Sequence, residues 1–321
     1  MPYLSPSSYR APWFLPGGHA QTIYPALFRK VPEVNFKRER LELADGDFLD
    51  LDWKSEGRER LVILSHGLEA STSAPYIRGM AAALFRRGWD VLAWNYRGCS
   101  GEPNRLLKFY HSGASDDLSM VVEHALQTHP ADRIDLVGFS LGGNMTLKYL
   151  GEKAGEVSPR LHRAVAFSVP CDLACSSVRL SKRSNRIYMD RFLSDLRGKL
   201  RAKKPAFPDE IDLAGIERIR NFRQFDDRFT APLHGFRDAA DYWERASSRP
   251  LLERIAVPAL LVNAVNDPFL GPGCFPKEEA ERSPWFHLEA PADGGHVGFA
   301  GPDANGEYWS EKRAAKFLSS E

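Results

Sequence analysis

The stretch that decides the fold is Ile134-Asp135-Leu136-Val137-Gly138-Phe139-Ser140-Leu141-Gly142. A short apolar run passes directly into a Gly-x-Ser-x-Gly pentapeptide, and a helical pattern begins at once after it. Such a strand-to-helix turn forces the serine to project from the edge of a sheet, and the flanking glycines let strand and helix approach without a Cβ clash. The pentapeptide alone is a weak signal, but in this context it indicates an exposed nucleophile at Ser140.

Outward from this turn, strand patterns alternate with helical patterns along most of the chain. Strands are predicted at Phe36–Leu43, Phe48–Trp53, Leu61–Ser65, Trp89–Trp94, Ile134–Phe139, Ala164–Val169, Ala259–Val265 and Trp285–Glu289. Helices are predicted at Tyr76–Arg87, at Ser115–Thr128, after the serine turn through Leu150, and at Tyr308–Leu318. The alternation predicts one α/β domain over residues 1–321, with a mostly parallel twisted sheet covered by helices on both faces. The segment before Phe36 is rich in Pro and Gly and is expected to be irregular.

The alternation breaks between Pro170 and Pro250, where the sequence is helical and polar. Because predicted sheet strands flank this segment, residues 171–250 are expected to form a helical insert that acts as a lid over the carboxyl edge of the sheet, where open α/β sheets bind ligands.

The first half of the insert is strongly basic, with ten Lys or Arg against two acids between Arg179 and Lys204. An apolar stripe at helical spacing runs through the same segment, at Met189, Phe192, Leu193, Leu196 and Leu200. We interpret the segment as a lid helix packed on the body with a solvated basic face. The alternative is that this face contacts an anionic membrane or lipid surface.

The composition argues against several classes of protein. The chain has 43 Lys and Arg against 42 Asp and Glu, whereas a nucleic-acid-binding domain is usually strongly basic. No stretch approaches the roughly 18 apolar residues that a membrane span needs, and the N-terminus lacks a signal-peptide pattern. Without a C-x-x-C pair among the four cysteines, we expect free thiols, a cytoplasmic location and no metal site. No glycine-rich phosphate motif suggests a nucleotide cofactor, and a monomer is expected.

A serine hydroxyl is a poor nucleophile at neutral pH and needs a base within hydrogen-bond reach. Among nine histidines, His296 is the candidate, because it lies in a glycine-rich loop just after the last predicted strand. Asp267 follows the strand Ala259–Val265 and is the candidate for the carboxylate that orients the imidazole. The chain order serine, aspartate, histidine agrees with this assignment. Asp172 and Asp293 remain as rival acids.

A developing oxyanion would need two backbone N–H donors. One is the N–H of Leu141, directly after the serine. The second should come from the loop after the strand Leu61–Ser65, and we choose the N–H of Leu68. His66 in this loop is interpreted as a residue that shapes the loop rather than as a base.

At these residues the sequence resembles the YheT-like hydrolases, a bacterial group of the α/β-hydrolase superfamily related to eukaryotic abhydrolase-domain esterases and phospholipases. The similarity runs from about Pro12 to Phe299. It is carried by the stretches PGGHAQTIYPALFR, HGLEAS with SAPY, NYRGCSGEPNR with YHSG, GFSLGGNM, FDDRFTAPLHGF with DYW, NDPF and GGHVGF.

The resemblance implies an α/β-hydrolase fold, with the nucleophile at Ser140, the acid at Asp267 and the base at His296. Two positions depart from the pattern of the group. Asn266 stands where relatives often have a second acid, and Ala70 stands where they commonly have glycine. The implied activity is hydrolysis of carboxylic esters, with small-molecule or lipid esters as substrates.

Three hypotheses of function follow. The first is an esterase that works through an acyl-enzyme on Ser140. The second keeps the same triad but transfers the acyl group to an alcohol or a thiol. The third is a catalytically silent binding module on a hydrolase scaffold, which would not react with a fluorophosphonate probe.

Overall fold

A computed structural model of the chain describes residues 3–4, 7–301, 303 and 306–320. Its strands are β1 (Tyr3–Leu4), β2 (Lys37–Glu42), β3 (Phe48–Lys54), β4 (Arg60–Ser65), β5 (Asp90–Asn95), β6 (Arg133–Phe139), β7 (Leu161–Phe167), β8 (Ala259–Val262) and β9 (Phe286–Glu289). Its α-helices are α1 (Gly17–Phe28), α2 (Pro75–Arg86), α3 (Ser115–Thr128), α4 (Leu141–Lys153), α5 (Leu173–Leu180), α6 (Arg186–Lys203), α7 (Phe222–Phe225), α8 (Ala231–Leu233), α9 (Ala239–Ala246), α10 (Lys277–Arg282) and α11 (Trp309–Leu318). A π-helical turn at Asp226–Thr230 joins α7 to α8, and short 3₁₀ turns lie at Ala154–Glu156, Arg183–Asn185, Ile216–Arg218, Arg249–Arg254 and Pro272–Cys274.

All of the described strands belong to one sheet, in the order β1-β9-β8-β7-β6-β4-β5-β3-β2. Strand β3 runs antiparallel to its neighbours β2 and β5. Every other described pair of neighbouring strands is parallel. The predicted mostly parallel sheet of the α/β-hydrolase fold is confirmed.

Apolar side chains of the central strands alternate between two cores, one on each face of the sheet. In β4, Leu61 and Ile63 face one core, whereas Val62 and Leu64 face the other. Helices α3 and α4 contribute to the first core, and α2 and α11 contribute to the second. Because both faces are covered, open space for a ligand is left at the carboxyl edge of the strands.

The expectation of an irregular N-terminal segment is wrong, because residues 17–28 form helix α1. Two glycines open this helix and Pro25 lies inside it, which hid the helical pattern. Helix α10 was also missed. The short strand β1 was missed as well. The predicted bounds of the other elements differ from the observed ones by at most three residues, as at the end of β8, which is Val262 rather than Val265.

The helical insert, residues 171–250, holds helices α5 to α9 and no strand among the described residues. In α6 the predicted apolar stripe is turned inward, and Met189, Leu193, Leu196 and Leu200 are buried.

Two of the basic residues of α6, Lys199 and Lys203, lie inside rather than on the exposed face that carries Arg191 and Arg201. Lys199 forms an ion pair with Glu69 at 2.9 Å, and the side chain of Lys199 is only 9% exposed. Lys203 donates hydrogen bonds to the side-chain and backbone oxygens of Asn104, at 2.8 and 3.1 Å. Burial lowers the pKa of Lys203 to about 8.

The end of the helical insert is fastened to the helix that follows Ser140. Asn144, buried in α4, donates from Nδ2 to the carbonyls of Ser112 and Ala246, both at 2.8 Å. Its Oδ1 accepts from the N–H of Ser248 at 2.9 Å. The hydrogen-bonding groups of this buried amide are therefore satisfied by three backbone groups from two segments, one just before α3 and one at the end of the insert.

Candidate active site

Ser140 occupies a strained turn between β6 and α4. Its φ is 52° and its ψ is −120°, a conformation that a residue with a Cβ rarely adopts. The turn is held by the Ser140 N–H, which donates to the Phe167 carbonyl at 2.8 Å. A Cβ on Gly142 would lie 2.5 Å from Tyr96 Oη, and a Cβ on Gly138 would lie 2.5 Å from the Gly142 carbonyl oxygen. Both flanking positions therefore require glycine, as the motif predicted.

The structure brings the two predicted partners to this serine. His296 Nε2 lies 2.9 Å from Ser140 Oγ, and His296 Nδ1 lies 2.8 Å from Asp267 Oδ2. Since an ionised carboxylate can only accept, Nδ1 carries the proton and Nε2 is left to accept from the serine hydroxyl. Asp267 is buried, and its other oxygen accepts from the N–H of Phe269 at 2.8 Å. The Phe269 ring also packs on the imidazole, with 4.1 Å between centroids.

The two rival acids are engaged elsewhere. Asp172 is the N-cap of α5, and its Oδ1 accepts from the N–H of Cys175 at 2.9 Å. Asp293 accepts from Asn266 Nδ2 at 2.8 Å. In the described part of the chain, neither forms a hydrogen bond with His296. The geometry therefore favours Asp267 over both.

The loop that carries the histidine (residues 293–299, here the histidine loop) is held by four polar side chains. Gln21 Oε1 accepts from the N–H of Gly294 at 2.7 Å, and Thr22 Oγ1 accepts from the N–H of His296 at 2.9 Å. The other two contacts are made by Asn266 Oδ1 with the N–H of Gly295 at 3.0 Å, and by Ser168 Oγ with the N–H of Val297 at 2.8 Å. The roles of Gln21 and Thr22 were not predicted from the sequence. Their signal was the N-terminal stretch PGGHAQT, which matched the family without an assigned role.

Asn266 also explains one departure from the family pattern. Its Nδ2 donates to Asp293 while its Oδ1 accepts from Gly295. An aspartate at 266 could not donate, and it would place two carboxylates side by side. The amide suits this environment.

The loop after β4 (residues 66–70, here the donor loop) lies against the serine. A Cβ on Gly67 would be 3.3 Å from Ser140 Cβ. The N–H of Gly67 donates to Tyr76 Oη at 2.9 Å, and the N–H of Glu69 donates to Tyr110 Oη at 2.8 Å. Among the described hydrogen bonds, none uses the intervening N–H of Leu68.

The second predicted donor lies at a helix end. Leu141 is the first residue of α4, so its N–H has no acceptor within the helix and carries the positive end of the helix dipole. Leu68 and Leu141 both line the cleft that holds Ser140 and His296. The structure thus brings both predicted donors to the same cleft as the nucleophile.

His66 cannot act as a base in its observed environment. Its Nδ1 lies 2.8 Å from the Gly67 carbonyl oxygen, and burial lowers its pKa to about 3. A neutral ring donates there from Nδ1, and Nε2 accepts from the N–H of Tyr96 at 3.3 Å. His66 shapes the donor loop. At the second position that departs from the family, Ala70, the backbone does not adopt a positive φ, so glycine is not required there.

The cleft that holds Ser140 and His296 is open to solvent on one side. Its walls are largely apolar and come from both the body and the helical insert. The residues that form the apolar walls are Phe109, Leu173, Leu180, Phe192, Leu196, Phe222, Trp243 and Phe269.

A polar group also lines this cleft, on the π-helical turn of the insert. Asp226 accepts from Thr230 Oγ1 at 2.7 Å and from Trp243 Nε1 at 2.8 Å. Burial raises the pKa of Asp226 to about 7, although both hydrogen bonds act in the opposite direction. His111, also in the lining, has its pKa held well below its ordinary value by burial and by the neighbouring His234.

Two further findings concern metal ions and membrane spans. In the described ranges, no group of three or more His, Cys, Asp or Glu side chains is placed to hold a metal ion. No described helix combines the length and apolar character required to cross a bilayer.

Comparison with known proteins identifies the family to which the chain is similar. Residues 60–300 match the family described as alpha/beta hydrolase fold. The chain is 37% identical to the YheT esterase of Escherichia coli (strain K12), over 94% of this chain and 90% of that one. It is 28% identical to phospholipase ABHD3 of Homo sapiens, over 88% of this chain and 71% of that one.

A solved structure shows the same fold. The Pyrococcus furiosus esterase Pf2001 superposes with a TM-score of 0.59, over 90% of this chain and 97% of that one, at 18% identity. At this identity the superposition concerns the fold alone. Together with the strand order and the serine turn, these matches confirm the resemblance found in the sequence: the chain belongs to the α/β-hydrolase fold family, among the YheT-like hydrolases.

Proposed function

We propose that the chain is a serine-dependent carboxylic-ester hydrolase that works through an acyl-enzyme on Ser140. The observation that carries this proposal is the continuous hydrogen-bonded series from Ser140 Oγ through the two nitrogens of His296 to Asp267 Oδ2. A relay of this geometry activates a hydroxyl that is otherwise unreactive at neutral pH. Relatives named as an esterase and as a phospholipase support the assignment.

In this mechanism Ser140 Oγ attacks the ester carbonyl while its proton passes to His296 Nε2. Asp267 stabilises the imidazolium and remains ionised. The N–H groups of Leu68 and Leu141 stabilise the oxyanion of the tetrahedral intermediate. The intermediate collapses, and the alcohol leaves with the proton from His296. A water molecule, deprotonated by the same nitrogen, then attacks the acyl-enzyme and releases the acid.

The walls of the cleft support an apolar acyl group. Aromatic and aliphatic side chains of the body and the insert surround the space next to Ser140. We therefore propose small-molecule or lipid esters as substrates. One relative, from Saccharomyces cerevisiae, is named as a monoacylglycerol lipase, which agrees with a lipid ester.

The helical insert would act as the cover of this cleft. Leu180, Phe192, Phe222 and Trp243, all from residues 171–250, line it. We regard the insert as part of one domain, because its end is hydrogen-bonded to α4 through Asn144.

The four cysteines are free thiols, which agrees with a cytoplasmic location.

The test of the proposal is covalent labelling followed by kinetics. A fluorophosphonate probe should label the wild type and leave Ser140→Ala unlabelled, and p-nitrophenyl esters graded by acyl length should be hydrolysed by the wild type alone. An unlabelled, inactive wild type would support the silent binding module instead. Added alcohol that captures the acyl group in preference to water would indicate an acyltransferase.

A further inference from the structure

A buried charged cluster lies directly behind the donor loop. Lys199 of α6 reaches Glu69 Oε1 at 2.9 Å, and the two side chains are only 9% and 8% exposed. The ammonium also donates to Cys99 Sγ at 3.1 Å and lies 4.5 Å from the centre of the Tyr110 ring. Burial alone would lower the pKa of Lys199, but Cys99 and Glu69 outweigh it and the pKa lies above its ordinary value. Lys199 is therefore charged and paired at neutral pH.

Tyr110 binds Glu69 at two points. Its hydroxyl donates to Glu69 Oε1 at 2.5 Å and accepts from the backbone N–H of Glu69 at 2.8 Å. One tyrosine thus fixes both the side chain and the backbone of the same residue. Since the acceptor is a carboxylate, the first of these hydrogen bonds is of the stronger, charge-assisted kind.

The backbone at Glu69 requires such support. Its φ is 49°, in the left-handed region that a residue other than glycine adopts at a cost. The N–H of Leu68 lies in the peptide plane between Gly67 and Leu68, so ψ of Gly67 and φ of Leu68 set its direction. This plane is held between two anchored N–H groups, that of Gly67 on Tyr76 and that of Glu69 on Tyr110. Releasing Glu69 would allow the loop to relax toward ordinary torsions and would turn this donor away from the serine.

A stabilising role alone does not account for the cluster. Replacing a buried ion pair by apolar residues is often neutral for stability, because desolvation offsets the attraction between the charges. What the pair does provide is a fixed geometry between two distant segments. Here one segment carries a proposed oxyanion donor and the other is a helix of the insert.

We propose that Lys199 and Tyr110 are positioning residues, which hold Glu69 so that the N–H of Leu68 faces the oxyanion. This inference rests on the proposed hydrolase function. It also gives α6 a role in the reaction besides covering the cleft, since an inward cation of the insert maintains one half of the oxyanion site.

The experiment compares Tyr110→Phe and Lys199→Met with Arg201→Met as a matched control. Arg201 lies on the same helix but is exposed and pairs with Glu217, so its replacement removes one positive charge without touching the donor loop. For a p-nitrophenyl ester, we expect kcat to fall about 10-fold in Tyr110→Phe and about 30-fold in Lys199→Met, less than the loss of a whole donor. KM should change by less than about twofold, because the affected interaction is stronger in the transition state than in the bound substrate. Arg201→Met should match the wild type in both kcat and KM.

A second measurement separates positioning from general loss of structure. A trifluoromethyl ketone, whose tetrahedral adduct on Ser140 carries an oxyanion, should bind more weakly in the two variants by about the same factor as kcat falls. The free carboxylic acid product should bind as it does to the wild type. Thermal unfolding of each variant shows whether it is folded.

The outcomes are distinct. A folded Lys199→Met with kcat within twofold of the wild type would overturn the inference. If Lys199→Met does not fold, Tyr110→Phe decides in the same way, since it removes a single oxygen and retains the ring. An inactive, unlabelled wild type would overturn both the proposed function and this inference, whereas an active wild type with unaffected variants would overturn the inference alone.

Discussion

The two loops that flank Ser140 are held by different kinds of interaction. The histidine loop is held by neutral groups, with Gln21, Thr22, Asn266 and Ser168 each accepting one backbone N–H. The donor loop combines tyrosine hydroxyls with a buried ion pair between Glu69 and Lys199. The first loop is supported mainly by the N-terminal helix and the ends of strands, whereas the second depends on the helical insert.

The two kinds of support correspond to the catalytic group that each loop positions, which is an imidazole in one loop and a backbone N–H in the other. His296 is oriented by Asp267 as well as by its backbone, so neutral hydrogen bonds are sufficient to place it. The donor loop offers only a backbone N–H, and that N–H lies next to a residue with a positive φ. The histidine loop also contains non-glycine residues with a positive φ, Val297 at 54° and Phe299 at 41°, so strain does not separate the two loops. What separates them is that His296 is held by a partner side chain, whereas the Leu68 N–H depends on the charge-assisted contacts of the neighbouring Glu69.

The largest losses of kcat are expected for Ser140 and His296, the nucleophile and base that lie between the two loops. Ser140→Ala and His296→Ala should each lower kcat by at least about 10³-fold, because nucleophile and base act as one unit. Steady-state kinetics on a p-nitrophenyl ester measure this. A tenth of the wild-type rate in a clean preparation of either variant would rule out the assignment, and with it the comparison of the two loops.

The acid should come next. Asp267→Asn is expected to lower kcat by about 10²- to 10³-fold, since an amide cannot stabilise the imidazolium and can favour the wrong tautomer. Asp172→Asn is the matched control. Asparagine caps a helix as well as aspartate does, so its kcat should stay within about twofold of the wild type. The reverse order of the two effects would assign the acid to the earlier strand.

A neutral contact of the histidine loop should matter less. Thr22→Val keeps the shape of the side chain but leaves the N–H of His296 without its acceptor, and we expect kcat to fall roughly 10-fold, for about 1.4 kcal/mol of lost positioning. The control is Thr128→Val, which removes a hydroxyl bonded at the exposed end of α3. Equal activity of the two variants would show that Asp267 and the other three contacts of the loop place the imidazole without Thr22.

The smallest effect is expected on the outer face of α6 and the turn before it. Arg183, Arg186 and Arg201 are exposed, and we expect their joint replacement by glutamate to change hydrolysis of a soluble ester by less than about twofold. We also expect the wild type not to sediment with anionic vesicles at low salt. Salt-sensitive sedimentation that the triple variant loses would instead establish the lipid-surface interpretation.

Local patterns were enough to predict much of the fold and the proposed catalytic residues. The strand-to-helix turn placed Ser140, and the positions of Asp267 and His296 after predicted strands placed the other two. Helix α1 was missed because Gly17, Gly18 and Pro25 interrupt its pattern.

The supporting contacts could not be predicted, because each joins residues far apart in the chain. Thr22 and His296 are separated by 274 positions. The inward side of α6 shows the same limit, since a lysine at 199 has the same local sequence signature as the exposed cations around it. Only the packing of α6 against the donor loop distinguishes Lys199 from Arg201.

The hydrogen bonds of Asn144 with the end of the insert lead to an expectation about the kinetics on aggregated substrates. Swinging the insert away from α4 would break the buried hydrogen bonds that this amide makes with Ala246 and Ser248, and would leave its polar groups unpaired. A lipase whose cover opens at an oil–water interface shows an abrupt rise in rate when the substrate passes its solubility limit. With the end of its insert secured in this way, this chain should show no such interfacial activation. The hydrolysis rate of a sparingly soluble ester should saturate smoothly across the onset of micelles or emulsion.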